Sequence, residues 1–171
     1  MGRVNVLVEG VSGAGKTSVA TELERRGEHV VHGDRELAYQ GDPATGEPTT
    51  GPPRHTHHLW RFDAVRELTA DPTAERTFFC GGSRNWAWFL DLFDLVVVLQ
   101  VDEETLRRRL AGRAGTDEFG ATAEQRDLVL GLHRTQDDVP AGTPLDATRP
   151  VGEVVDDLLR RTDGLGGPAT W

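Results

Sequence analysis

The sequence predicts an α/β fold, a doubly wound five-stranded parallel sheet covered by helices on both faces. Three observations predict it. Short β-branched runs alternate with helical patterns along the chain. The run GVSGAGKT, residues 10–17, joins the first such strand to the first helix by a glycine-rich turn. A chain of 171 residues with 37% hydrophobic content is long enough for one α/β domain and too short for two of ordinary size. One domain over residues 1–163 is expected, with 164–171 as a loosely held, flexible tail.

The elements follow in order. Strands are expected at 4–9, 29–32, 77–80, 95–101 and 144–146. The helix from Lys16 places Val19, Ala20 and Leu23 on one face, and Gly27 suits its C-terminal cap. A second helix follows Asp102, carries Glu103 and Glu104 in its first turn and turns Leu106 and Leu110 inward. A third starts at Thr122, where Thr122 and Gln125 have capping-box spacing, and should bury Leu128 and Leu132. The last follows Pro150 and buries Val154, Val155, Leu158 and Leu159. Residues 41–53 are rich in glycine and proline and predict a mobile loop over a binding site, and 57–68 has the apolar spacing of a short helix.

The glycine-rich turn carries the most specific chemistry. Gly10, four intervening residues, then Gly15, Lys16 and Thr17 stand between a strand and a helix. In that context backbone N–H groups close around a phosphate chain, Lys16 reaches the terminal phosphates, and the Thr17 hydroxyl can ligate Mg²⁺. The expected nucleotide-binding set is Gly10, Ser12, Gly13, Ala14, Gly15, Lys16, Thr17 and Ser18, with ATP and Mg²⁺ as the cofactors.

A net charge of -9 argues against nonspecific binding to nucleic acid or to an anionic membrane, since either would need a basic face. The single cysteine, Cys80, excludes an internal disulfide framework and suits a reducing cytosol, and no long apolar run is present. A soluble, cytoplasmic protein is expected. Cys80 itself is expected as a buried small apolar residue. His55, His57 and His58 have no acidic or cysteine partner at ligand spacing and are expected to face solvent.

Beyond the phosphate loop, three short segments occur in a telling order. HGDREL follows the second strand, CGGSR the third and RLAGR, residues 109–113, the fourth. They resemble the TGD-x-L-R, DGFPR and RL-x-x-R segments of the P-loop kinases of small molecules, the group of adenylate, shikimate, gluconate and nucleoside kinases. LDAT, residues 145–148, resembles the adenine-contacting loop of the same group. The resemblance implies a P-loop NTPase fold with a short lid at 114–120 and an acceptor-binding insertion at 38–75. It implies Asp34 at the acceptor side, Arg84 on the acceptor, Arg109 and Arg113 as lid cations, and Asp146 and Ala147 at the adenine; Arg35, Arg54 and Arg84 are the cations available to hold an anionic acceptor. Cys80 stands where adenylate kinases have an Asp that orders water around Mg²⁺, which leaves Thr17, Asp34 and the phosphates as the metal environment.

Phosphoryl transfer needs charge neutralisation and alignment. Lys16, Asp34, Arg109 and Arg113 are therefore the candidate catalytic residues. Arg109 and Arg113 are four apart, so on a helix they share one face and can reach the same phosphate. Asp34 suits either a general base or a water-mediated metal ligand. Trp60, Trp86, Trp88 and Tyr39 fall around the acceptor side, where core packing is the more frequent fate of such residues. The expected activity is ATP-dependent phosphorylation of a small-molecule acceptor, a nucleoside or nucleoside monophosphate first, with a sugar acid or antibiotic hydroxyl as the alternative. A hydrolytic NTPase and a non-catalytic regulatory module are the rivals. No NKxD segment for guanine is present.

Overall fold

The computed structural model describes residues 3–165. In chain order the elements are β1 (Val4–Glu9), α1 (Lys16–Arg25), β2 (His29–His32), α2 (Gly33–Glu36), β3 (Ala38–Gln40), β4 (His58–Trp60), α3 (Phe62–Ala70), β5 (Arg76–Cys80), β6 (Leu95–Gln100), α4 (Glu103–Ala111), α5 (Ala123–Thr135), β7 (Thr143–Asp146) and α6 (Val151–Thr162). Five strands form one parallel sheet in the order β2-β5-β1-β6-β7. No helix of the described residues is long and apolar enough to cross a membrane.

Strand β1 lies at the centre and is buried along its whole length, as a parallel strand covered on both faces must be. Its alternation divides the core. Val6 and Val8 join a cluster with Leu23 of α1, Leu106 and Leu110 of α4 and Val155 and Leu158 of α6. Leu7 points the other way, to Val31, Phe79, Phe89 and Val65 of α3. The register pairs Val8 with Cys80 and Val97, and His32 with Cys80, so the C-terminal ends of β1, β2, β5 and β6 open on one edge of the sheet. Cys80 is buried there, and burial pushes its thiol up from the ordinary range. Gly27, with a φ of 86°, closes α1 as its spacing suggested.

Two expectations are corrected. Residues 58–60 are a strand, not helix: β4 pairs antiparallel with β3, and α3 begins only at Phe62. The cause is Trp60, which is fully buried against Phe89 and the faces of Gly33 and Gly81. The Asn85 side chain acts as its strand neighbour, accepting from Trp60 N and donating to Trp60 O, both at 2.9 Å. The turn beyond β3 is closed by its own bonds, with Tyr39 donating to the Gly46 carbonyl at 2.8 Å and Gly46 N to Asp42 O at 2.7 Å. In α5 the capping box forms as expected, but the helix is rotated from its expected face. Val129 and Leu130 are buried, Leu128 is exposed and Leu132 half-buried. His133 bonds the Val101 carbonyl at 2.7 Å and helps set that rotation. The expected tail lies, from residue 166 on, outside the described residues.

Candidate active site

A cleft of about 930 Å³ runs across the open sheet edge. One wall is the β1–α1 turn. Gly13 and Gly15 adopt φ of 86° and 110°, a region other residues avoid. A Cβ at Gly13 would lie 2.9 Å from Leu106, so the loop also packs closely on α4. Gly15 caps α1 without a side chain, which leaves the first-turn N–H groups of the helix directed at the cleft beside exposed Thr17 and Ser18. All eight expected loop residues line this space: Gly10, Ser12, Gly13, Ala14, Gly15, Lys16, Thr17 and Ser18. The Lys16 ammonium donates to the carbonyls of Gly10 and Val11, the latter at 3.0 Å. Burial lowers its pKa, against which the charges of Glu9 and Asp34 act.

Asp34 reaches the same cleft from α2. Its Oδ1 accepts from His58 Nε2 at 3.0 Å and from Gly82 N at 3.1 Å. Burial pushes the carboxyl up, but the His58 bond and the Lys16 charge together hold it below the usual carboxylate range. Arg35 and Arg54 line this end, with Gln40 between the two segments. Arg84 also lines it, but its guanidinium is engaged by Asp138, through Oδ2 at 2.9 Å and the carbonyl at 2.7 Å. Asp138 further meets His55 Nε2 at 3.3 Å, and the His55 ring stacks on Phe119 with centroids 5.2 Å apart. Thus His55 and His58 line the cleft, half-buried, each with an acidic partner. The missing signal was their long-range partners, Asp138 and Asp34.

Arg109 and Arg113 both line the cleft but do different things. Helix α4 ends at Ala111, so Arg113 lies beyond it and the shared helix face does not exist. Arg113 donates to Ser12 Oγ at 2.9 Å and to the Phe119 carbonyl at 2.6 Å, and pairs with Glu118 at 3.0 Å. Arg109 is spent on backbone: it donates to the carbonyls of Gly13, Ala14 and Ala147 at 3.3, 3.0 and 2.8 Å. It ties the glycine-rich turn to the loop after β7. Ala147 lines the cleft, while the Asp146 carboxylate is turned into Thr148 and stands outside the lining. Trp60 is in the core, and none of Trp60, Trp86, Trp88 and Tyr39 lines the cleft.

Sequence reasoning missed Glu9. It is 1% exposed at the end of β1, and its oxygens accept from Gly10 N at 3.1 Å and Ser83 N at 3.2 Å. Burial pushes its carboxyl up to about 7, with Lys16 and Arg84 pulling the other way. Among the described residues no group of three or more His, Cys, Asp or Glu could hold a metal ion. Thr17 and Asp34 line one cleft, a sparse donor set that suits a cation bound chiefly through substrate phosphates and water.

The sequence model of the AAA domain matches residues 6–128. The chain belongs to this AAA-domain family. No curated protein matches it in sequence. Among solved structures, this AAA-domain chain is similar to shikimate kinase from Aquifex aeolicus at 16% identity and a TM-score of 0.57, covering 96% of this chain and 100% of that one. It is similar to a gluconokinase from Sinorhizobium meliloti at 22% identity and 0.55, covering 92% and 90%. It is also similar to deoxyadenosine kinase from M. mycoides with bound dATP at 13% identity and 0.55, covering 92% and 98%. At these identities the likeness is one of fold, the fold of P-loop small-molecule kinases.

Proposed function

We propose that the protein is an ATP-dependent kinase that transfers the γ-phosphoryl group to a hydroxyl of a small-molecule acceptor. The observation that carries this reading is one cleft lined by two chemically different sets of residues: Lys16, Thr17 and Arg113 with the glycine-rich turn, and Asp34, His58, Arg35 and Arg54 from α2, the segment before β4 and the start of β4. Nucleotide binding by proteins of this fold, as in the dATP-bound deoxyadenosine kinase, supports ATP as the phosphoryl donor.

In this reading the N–H groups of the turn and of the first turn of α1 hold the phosphates. Lys16 and Arg113 neutralise the charge that develops on the migrating group. The Thr17 hydroxyl would hold Mg²⁺, which would supply further charge neutralisation when bound. Asp34 receives the proton of the acceptor hydroxyl, and its bonds from His58 and Gly82 hold the carboxylate in place. Arg109 maintains the shape of the turn. Arg35 and Arg54 favour an acceptor that carries an anionic group as well as a hydroxyl. A nucleoside would want a free aromatic surface for its base; Trp60, Trp86 and Trp88 stand outside the cleft lining, and of the rings that do line it, His55 and Phe119 are stacked on each other. A hydroxylated acid is therefore preferred to a nucleoside, and a nucleoside monophosphate, whose phosphate the arginines would also hold, is the second reading.

The test is ADP release with ATP and Mg²⁺ in the presence of gluconate, shikimate, deoxyadenosine or deoxyadenosine monophosphate, against a blank without acceptor. Acceptor-dependent release supports a kinase, and the responding compound names its class. Release that ignores the acceptor points to a hydrolytic NTPase. Calorimetric ATP binding with no release of either kind points to a regulatory module.

A further inference from the structure

Four consecutive N–H groups at the end of β5 go to four different places. Gly81 donates to the Val8 carbonyl of β1 at 3.2 Å and Arg84 to the His58 carbonyl of β4 at 2.8 Å. Between them Gly82 donates to Asp34 Oδ1 at 3.1 Å and Ser83 to Glu9 Oε1 at 3.2 Å. The segment is the junction of the central strand, the Asp34 helix and the β3–β4 hairpin. Of these four partners, Glu9 also reaches the glycine-rich turn, through Gly10 N at 3.1 Å. Burying a carboxyl costs stability unless its oxygens are satisfied, and here both are, by backbone from two different loops. The approach is close: a Cβ at Gly82 would lie 3.3 Å from Glu9 Oε2.

Resting on the kinase reading above, we propose that Glu9 is a positioning residue for phosphoryl transfer. Its two oxygens hold the phosphate-binding turn and the Gly82–Arg84 segment in one register, so that Lys16 and Asp34 stay aligned across the reacting centre. The residue touches neither nucleotide nor acceptor. It acts through Gly10 on one side and through the N–H next to the one that holds Asp34 on the other. Alignment is where such a residue matters, because a displacement of about 1 Å at the reacting atoms can cost roughly a hundredfold in rate. Glutamine has the same shape but one acceptor oxygen, and its amide would oppose one of the two N–H groups.

The test compares wild type with Glu9→Gln and Glu9→Asp, the second keeping the charge while withdrawing the carboxylate from one of the two loops. Transfer to the acceptor found in the screen, ADP release without acceptor, ATP affinity by calorimetry and backbone hydrogen exchange are measured on each. For both variants transfer is expected to fall about tenfold to a hundredfold, with ATP affinity within about threefold and acceptor-free release retained. Amides of residues 81–85 should exchange about tenfold faster or more while those of β1 and β6 keep their protection. Transfer and acceptor-free release falling in the same proportion, or an unchanged exchange pattern, would overturn the proposal. If Glu9→Gln does not fold, Glu9→Asp decides by the same criteria. If wild type phosphorylates none of the acceptors, the kinase reading falls, and the exchange pattern alone still decides for or against the Glu9 link.

Discussion

The Asp34 carboxylate accepts from His58 Nε2 at 3.0 Å, and Gly82 N donates to the same oxygen at 3.1 Å. The second oxygen is the one left to an acceptor hydroxyl. If Asp34 takes that proton, Asp34→Asn should lower kcat by about 10²–10³ with little change in acceptor KM. His58→Asn tests the pairing. Burial raises the Asp34 pKa, and the His58 bond and Lys16 charge outweigh it; without His58 the pKa should rise and the acid limb of kcat move to higher pH. A pH–rate profile measures this, and an unmoved acid limb would show that His58 does not tune Asp34.

What the sequence disclosed and what it hid divide by range. The glycine-rich turn was legible because Gly10, Gly15, Lys16 and Thr17 are neighbours whose spacing alone dictates the geometry. Strand β1 and the capping box at Thr122 were legible for the same reason. Glu9 was not, because it is read only through Ser83, 74 positions away. His58 depends on Asp34, 24 positions away, and Arg84 on the Asp138 carbonyl, 54 away. Strand β4 hid behind helical spacing because its pairing rests on β3 and on the Asn85 side chain. Arg109 and Arg113 both line the cleft, yet the break after Ala111 gives them different contacts.

Lys16→Ala should abolish most transfer while weakening ATP binding less. The ammonium stands at the glycine-rich turn, held by the Gly10 and Val11 carbonyls, and is positioned to meet phosphate charge that grows in the transition state. A loss of about 10³ in kcat and roughly tenfold in ATP affinity is expected. A coupled ADP assay with calorimetry checks it, and undiminished turnover would remove Lys16 from the mechanism.

The three arginines of the α4 region should separate cleanly. Arg113→Ala, which loses the contacts to Ser12 and Phe119, should lower kcat by roughly a hundredfold or more. Arg109→Ala, which frees Gly13, Ala14 and Ala147, should instead weaken ATP binding and lower Tm. Arg107 is exposed and pairs with Glu103, so Arg107→Ala should change little. Kinetics and thermal melts on the three variants check the ordering. Equal losses for Arg107→Ala and Arg113→Ala would reduce both to a solvated basic face.

Glu9 also predicts how stability depends on pH. Burial pushes its carboxyl from the ordinary 4.5 up to about 7, while Lys16 and Arg84, the charges that face it, and the N–H groups of Gly10 and Ser83 pull it down. Between these two values the folded chain holds a proton that the unfolded chain has released. Stability from this group therefore falls as pH rises through the window, and above about pH 7 the cost of a buried carboxylate is complete. Glu9→Gln cannot titrate. Its lost N–H contact shifts Tm by an offset that does not depend on pH, so the slope is the diagnostic quantity. The Tm of the variant relative to wild type should rise by roughly 5 °C or more between pH 5 and pH 8. Asp34 and Asp138, whose carboxyls are held below the ordinary range, stabilise the fold above that range and lose this as pH falls; both are present in each protein and cancel in the difference. Scanning calorimetry across the window measures it, and a flat difference would mean that Glu9 is not a buried carboxyl with a raised pKa.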